Sequence, residues 1–401
     1  MLKKMICFAF CFLWIFPYSL VFAAFSDSYI WSEAAETMAT LPNKVELNLD
    51  VEAALLMDED TGTILYTKNE HERLRPASVT KVMSLLLIME ALDEGRISLT
   101  DKVPCSAKAS SMGGSQIWLD QTEELTVHEM LKAICVVSAN DCTVAMAEFI
   151  GGSEEAFVAM MNEKAKALGM NDTTFKNCHG IDEDGHLTSA FDIAIMSREL
   201  SKNHPQIHEY TKIWMDTLRD GKSQLVNTNK LIRFYSGATG LKTGSTSLAL
   251  FNLSATASRN NMNLIAVVMR GSTSQKRFDD AKALLDYGFA NYASQSLCKR
   301  GDIVSTLTIE KAKNDSVDLI VGEDKYALLG KADGKNITSE TYFNENISAP
   351  LEYNEKVGYI EYYLNGEPIE RVDIVTNEKV EKKGFISFNN ELIDFWFTSG
   401  R

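Results

Sequence analysis

Arg75-Pro-Ala-Ser78-Val-Thr-Lys81-Val-Met-Ser-Leu-Leu-Leu-Ile-Met-Glu-Ala-Leu92 is an apolar run with one serine and one lysine three residues apart at its head. Met83, Leu85, Leu86, Leu87, Ile88 and Leu92 leave it apolar nearly all round, which predicts a buried central helix over 79–92. Pro76 suits a first helical turn because it has no N–H to lose there, and this places Ser78 within that turn. A first-turn N–H has no intrahelical acceptor, so the Ser78 amide can point at a developing oxyanion. The three-residue spacing brings Ser78 and Lys81 to one face, a nucleophile beside a base. Lysine normally keeps its proton to a pKa of ~10.4, so it acts as a base only where burial and a second cation pull that value down. Lys242 is the candidate cation.

Two further strings follow in order. Residues 127–137, with Met130, Leu131, Ile134 and Val137, have helical periodicity and end in Ser138-Ala-Asn140-Asp141, which supplies cap and turn residues. Ser138 and Asn140 would then sit on a loop between two helices. There a hydroxyl can relay a proton and a side-chain amide can hold a substrate carbonyl. Gly240-Leu-Lys242-Thr243-Gly244-Ser245 precedes two apolar runs, 249–257 and 264–268, split by Asn260-Asn261. This reads as strand, turn, strand, with Lys242 to Gly244 on a sheet edge beside a groove. Gly244 has no side chain to keep an acyl group off the strand, and the Ser245 N–H can complete an oxyanion pair. Lys242 and Thr243 can meet a carboxylate.

S-x-x-K, S-x-N and K-T-G in this order resemble the active-site strings of penicillin-binding proteins and class A β-lactamases. Arg75-Pro-Ala-Ser-Val-Thr-Lys81, Met112-Gly-Gly-Ser115, His179-Gly180 and Arg277-Phe278 sharpen the likeness to low-molecular-mass penicillin-binding proteins of the serine-type D-alanyl-D-alanine carboxypeptidase family. It covers roughly residues 50–294. The resemblance implies an α/β (α+β) transpeptidase-like domain, an antiparallel sheet covered by helices, followed by a small all-β domain. It further implies Ser78 as acylated nucleophile, Lys81 as general base, and Ser138 and Asn140 as relay and positioning pair. Lys242, Thr243, Gly244 and Ser245 line the substrate, and Arg277 helps hold its terminal carboxylate, with Lys276 as the competing basic residue. The implied partners are peptidoglycan stem peptides, with β-lactams as covalent inhibitors and no cofactor.

Two departures stand out. Alanine fills the middle of the second string, and Gly237-Ala-Thr-Gly240 stands where many relatives carry an acid before the glycine. A β-lactamase is the first alternative. Class A enzymes add a glutamate in an E-x-x-L-N string some three dozen residues after the second motif, and Thr173-Thr-Phe-Lys-Asn177 has none. A sensor that binds muropeptides or β-lactams with little turnover is the second alternative, disfavoured by the intact trio.

The chain ends and composition set the setting. Lys3 and Lys4, an apolar run over 5–16 and Val21-Phe-Ala23 predict a cleaved secretory signal over residues 1–23. Its removal takes the formal charge from −15 to −17, which excludes nucleic acid as a natural partner. The expectation is an exported protein of the periplasm or cell surface, associated with the outer face of the cytoplasmic membrane. Composition divides the mature chain into a catalytic domain over 24–298 and a β-rich domain over 299–383, where short alternating runs include a hairpin at Asn365-Gly366. The tail over 384–401 aligns Phe385, Phe388, Leu392, Phe395 and Trp396 on one helical face, a candidate for peripheral membrane contact. Glu391, Asp394 and the lack of lysine before Arg401 favour packing on its own domain equally.

The six histidines form no H-E-x-x-H and have no spaced cysteine partners, so no metal site is expected. His179 reads as structural. Asp182-Glu-Asp184 reads as a solvated loop, and the five cysteines beyond the signal as packing thiols.

Overall fold

The computed structural model describes residues 46–309, 312, 316–331 and 336–382. The predicted signal and the tail over 384–401 lie outside them.

A five-stranded antiparallel sheet forms the centre: β1 (Ala53–Asp58), β2 (Ile64–Lys68), β3 (Ala238–Thr246), β4 (Leu250–Arg259) and β5 (Met262–Gly271). Their order across the sheet is β2-β1-β5-β4-β3, which leaves β3 as an edge. Successive strand side chains face opposite ways, so the sheet feeds two cores. Ala53, Leu55, Met57, Ile265, Val267 and Met269 join one, and Ala54, Leu56, Leu264, Ala266 and Val268 join the other. This double burial explains why these strands read as nearly continuous apolar runs.

The first core is built from α1 (Lys81–Asp93), α2 (Val127–Val137), α3 (Asn140–Gly151), α4 (Glu154–Ala167) and α5 (Ala190–Asn203). The second is closed by α6 (Ser274–Asn291) through Phe278, Ala281, Leu284 and Leu285. α1 is the predicted central helix, with Val82, Met83, Leu85, Leu86 and Ile88 fully buried. It starts two residues later than periodicity predicts. Residues Ala77–Thr80 form a 3₁₀ turn instead, entered through Ala77 at φ +49°.

α2 matches the expectation at both ends. Thr126 Oγ1 accepts from the Glu129 amide at 3.2 Å while the Glu129 carboxylate accepts from the Thr126 amide at 2.8 Å. Such a reciprocal cap contributes on the order of 1 kcal/mol. The helix stops at Ser138, whose φ of +65° turns the chain towards α3.

The C-terminal part is all β, as expected. β6 (Tyr292–Cys298) pairs with β9 (Lys325–Gly330), and β7 (Ile303–Leu307), β8 (Val317–Val321), β10 (Ile337–Phe343), β11 (Lys356–Leu364) and β12 (Glu367–Thr376) form a second antiparallel sheet. Asn365 and Gly366, both at positive φ, make the two-residue turn between β11 and β12. α6 runs directly into β6, and Lys331 donates its amide to the Asn291 carbonyl at 2.7 Å.

Candidate active site

The site lies where the 3₁₀ turn, the α2–α3 junction and edge strand β3 converge. Lys81 enters α1 behind Ser78 and is completely buried. Its Nζ lies 2.6 Å from Asn140 Oδ1, 2.6 Å from the His179 carbonyl and 3.1 Å from Ser78 Oγ. A neutral amine has two N–H groups and one lone pair. The amide oxygen and the carbonyl take the two N–H groups, which leaves the lone pair for the Ser78 hydroxyl. Burial, then the charge of Lys242, pulls the Lys81 pKa well below 10.5.

Lys242 projects from β3 and is also fully buried, with its Nζ donating to the Thr243 carbonyl at 2.9 Å. Burial, assisted by Arg277, brings it down to about 7 against the pull of Cys135. Thr243 shares a 2.8 Å hydroxyl hydrogen bond with Thr228. Gly244 presses β3 onto the nucleophile turn: a Cβ there would stand 2.7 Å from the Pro76 oxygen and 3.0 Å from the Ser78 nitrogen. Ser245, the next residue, is exposed. The predicted edge therefore borders the serine directly.

Ser138 Oγ is buried and has no hydrogen-bond partner among the described residues. Arg277, on the first turn of α6, donates to the Gly244 and Asn252 carbonyls at 3.1 and 3.2 Å and to Ser274 Oγ at 3.1 Å. Its guanidinium is thus tied to the strand that carries the third motif and rests over the Phe278 ring at 4.6 Å. Ser78, Lys81 and Asn140 meet directly; Gly244 links them to Arg277. Ser138, two residues before Asn140, and Ser245, the residue after Gly244, form no direct hydrogen bond with that trio.

Several supporting residues escaped the sequence reading. Asn140 donates its amide nitrogen and its side chain, each at 2.7 Å, to the Ser115 and Gly113 carbonyls. Asp141 accepts from the Ile117 and Leu119 amides, both at 3.0 Å, and so fixes the following loop. Within that loop Trp118 is held at φ +54°, a conformation that costs a bulky residue about 1–2 kcal/mol. Behind Lys81, Glu154 accepts from the Cys178 amide at 3.2 Å and pairs with Lys108 at 2.8 Å. His179 offers the base its carbonyl, whereas its buried ring is driven down to about 4 by burial and the charge of Lys81. Its structural reading agrees with this. The Met112–Ser115 and His179-Gly180 strings mark both loops that hold these acceptors, although the acceptors themselves are backbone carbonyls.

An α/β domain with a serine on a helix-leading turn, a buried lysine behind it and a K-T-G edge strand defines the penicillin-binding class of serine acyl-transfer proteins. The D-alanyl-D-alanine carboxypeptidase family model matches residues 37–273, and the penicillin-binding protein 5 C-terminal domain model matches residues 292–382. The chain belongs to the D-alanyl-D-alanine carboxypeptidase family. It is 44% identical over 355 residues to the carboxypeptidase DacF of Bacillus subtilis, covering 88% of this chain and 91% of that one. Penicillin-binding protein 5 of Haemophilus influenzae superposes with a TM-score of 0.71 at 30% identity, over 85% of this chain and 100% of its own. The ampicillin-bound penicillin-binding protein D2 of Listeria monocytogenes gives 0.57 at 30% identity, over 61% and 100%.

Proposed function

We propose that this protein is a serine-type D-Ala-D-Ala carboxypeptidase that trims the terminal D-alanine from peptidoglycan stem pentapeptides. The observation that carries the reading is the coordination of Lys81, whose two N–H groups are occupied at 2.6 Å each while Ser78 Oγ stands 3.1 Å away. Ser78 transfers its proton to Lys81 as Oγ attacks the carbonyl between the two D-alanines. The Ser78 and Ser245 amides stabilise the oxyanion. Collapse breaks the C–N bond, and the departing amine takes a proton relayed through Ser138, whose hydroxyl has no competing partner among the described residues. Water, deprotonated by Lys81, then hydrolyses the ester. Asn140 positions the acyl chain, and Lys242, Thr243 and Arg277 meet the terminal carboxylate, Arg277 partly through the strand it grips.

β-Lactams form the same ester on Ser78, in keeping with the ampicillin complex of the Listeria relative. In this reading residues 1–23 direct export and residues from 24 carry the chemistry up to 291, since β6 pairs with β9 and moves the expected boundary at 298 to that point; the residues from there to 383 form the β-rich mount, and the tail over 384–401 makes peripheral contact with the outer face of the cytoplasmic membrane.

The test is release of D-alanine from diacetyl-Lys-D-Ala-D-Ala by the mature protein and by Ser78→Ala, with mass spectrometry after penicillin exposure. Serine-dependent release together with an adduct on Ser78 supports the proposal. An adduct without release turns the reading to a binding protein, and rapid drug turnover turns it to a β-lactamase.

A further inference from the structure

Trp118 has no part in the chemistry above, yet the fold goes to some length to display it. The indole is 76% exposed, while Ile117 and Leu119 on either side are buried. Its left-handed backbone is imposed by neighbours. The carboxylate of fully buried Asp141 takes the amides of residues 117 and 119, and Arg219 donates to the Ile117 carbonyl at 2.9 Å while gripping Glu123 at 2.7 Å. A lone exposed apolar side chain is ordinary; one locked in a sparsely populated conformation by a buried carboxylate points to use.

The same loop touches the site. Ser115 accepts from the Asn140 amide, and three residues span at most ~11 Å, so Trp118 lies within that reach of the Ser115–Asn140 contact. A stem peptide bound with its reacting carbonyl at Ser78 extends about 10 Å over the three residues that separate its penultimate alanine from the sugar. Asp120 and Glu124 follow the indole in sequence, Glu123 is neutralised by Arg219, and no lysine or arginine occurs from residue 109 to 131, a setting that disfavours an anionic lipid surface as its partner.

We propose that Trp118 binds the sugar end of the substrate, its ring stacking on the apolar C–H face of a hexosamine carried by the stem peptide. The inference rests on the carboxypeptidase reading and adds a glycan subsite to it. A pre-fixed aromatic suits this role because little conformational freedom is lost on binding. The protein would then prefer peptides still attached to sugar over free ones.

Equilibrium binding to the full-length Ser78→Ala protein tests this independently of turnover, with a disaccharide-pentapeptide and the matching free pentapeptide as probes. The expected result is tighter binding of the disaccharide form by about tenfold. Trp118→Gly, which accepts the positive φ without strain, should abolish that difference, and Trp118→Phe should keep most of it. Equal affinities for the two probes, or a preference that survives Trp118→Gly, overturns the proposal. Failure of the wild-type protein to release D-alanine would instead overturn the carboxypeptidase reading, and leaves the binding comparison valid.

Discussion

Gly180 packs so tightly on Ala77 that a Cβ at position 180 would stand 2.0 Å from the Ala77 oxygen and 2.9 Å from the Ser78 nitrogen. The residue before it supplies the carbonyl that holds Lys81. One loop crossing therefore fixes the Ser78 turn from behind and seats Lys81. Gly180→Ala adds a methyl group into this contact at φ +92°, where a side chain is already disfavoured. The rate of Ser78 acylation by a fluorescent penicillin should fall about 100-fold, since small misplacements of a reacting group carry penalties of that size. Acylation at the wild-type rate in a folded variant would remove the loop from the argument.

In the proposed mechanism Lys81 acts as the neutral amine, so kcat/KM should climb with pH along a limb that lies well below the ordinary lysine value of 10.5. Lys242→Ala removes the neighbouring cation that helps to depress Lys81. Lys81 then holds its proton more tightly, and the limb should move to higher pH while the plateau drops. Profiles between about pH 5 and pH 11 check both; an unmoved limb would assign the depression to burial alone.

Keeping Lys242 buried weakens the fold. A depression from 10.5 to about 7 corresponds to roughly 5 kcal/mol of differential stabilisation between folded and unfolded states. Because the unfolded chain binds the proton more strongly, stability rises with pH between those two values. Lys242→Met should therefore be catalytically dead yet more stable at pH 7, by on the order of 2–4 kcal/mol. The gain should shrink as pH approaches 10.5. Denaturant melts at several pH values decide the matter.

Glu154→Ala leaves the Cys178 amide and Lys108 without their shared acceptor and should cost about 2 kcal/mol. Burial pushes the Glu154 carboxyl up, but Lys108, the Cys178 amide and His179 together hold it below its ordinary 4.5. The stability it supplies is present above that value and lost as pH falls through the lower folded one. Melting curves of wild type and variant should accordingly converge on acidification. Divergence there would mean that the loss is a cavity effect.

The features legible in sequence are those that local chemistry writes. α2 is bounded by its own cap and by Ser138, and the β11–β12 turn is spelled by Asn365-Gly366. The edge position of β3 follows from a motif that needs an open flank. α1 begins two residues later than its periodicity predicts; Gly180 and Gly244, about 100 and 165 positions downstream, pack against the serine turn, and no local window contains them. The partners of Asn140 and Lys81 are backbone carbonyls of residues 113, 115 and 179, which any side chain could carry. Arg277 was recognisable as a residue of interest, but its grip on β3 depends on how α6 docks across the sheet.

α6 passes into β6 with no intervening loop, and its other end carries Arg277 on the Gly244 carbonyl. Head and mount are thus joined by a strut instead of a tether. A pull on the C-terminal sheet travels along eighteen helical residues and arrives at the strand that borders the serine. Any swing of the β domain about this junction has to bend α6 or shift the Arg277 contact on the strand that borders the serine.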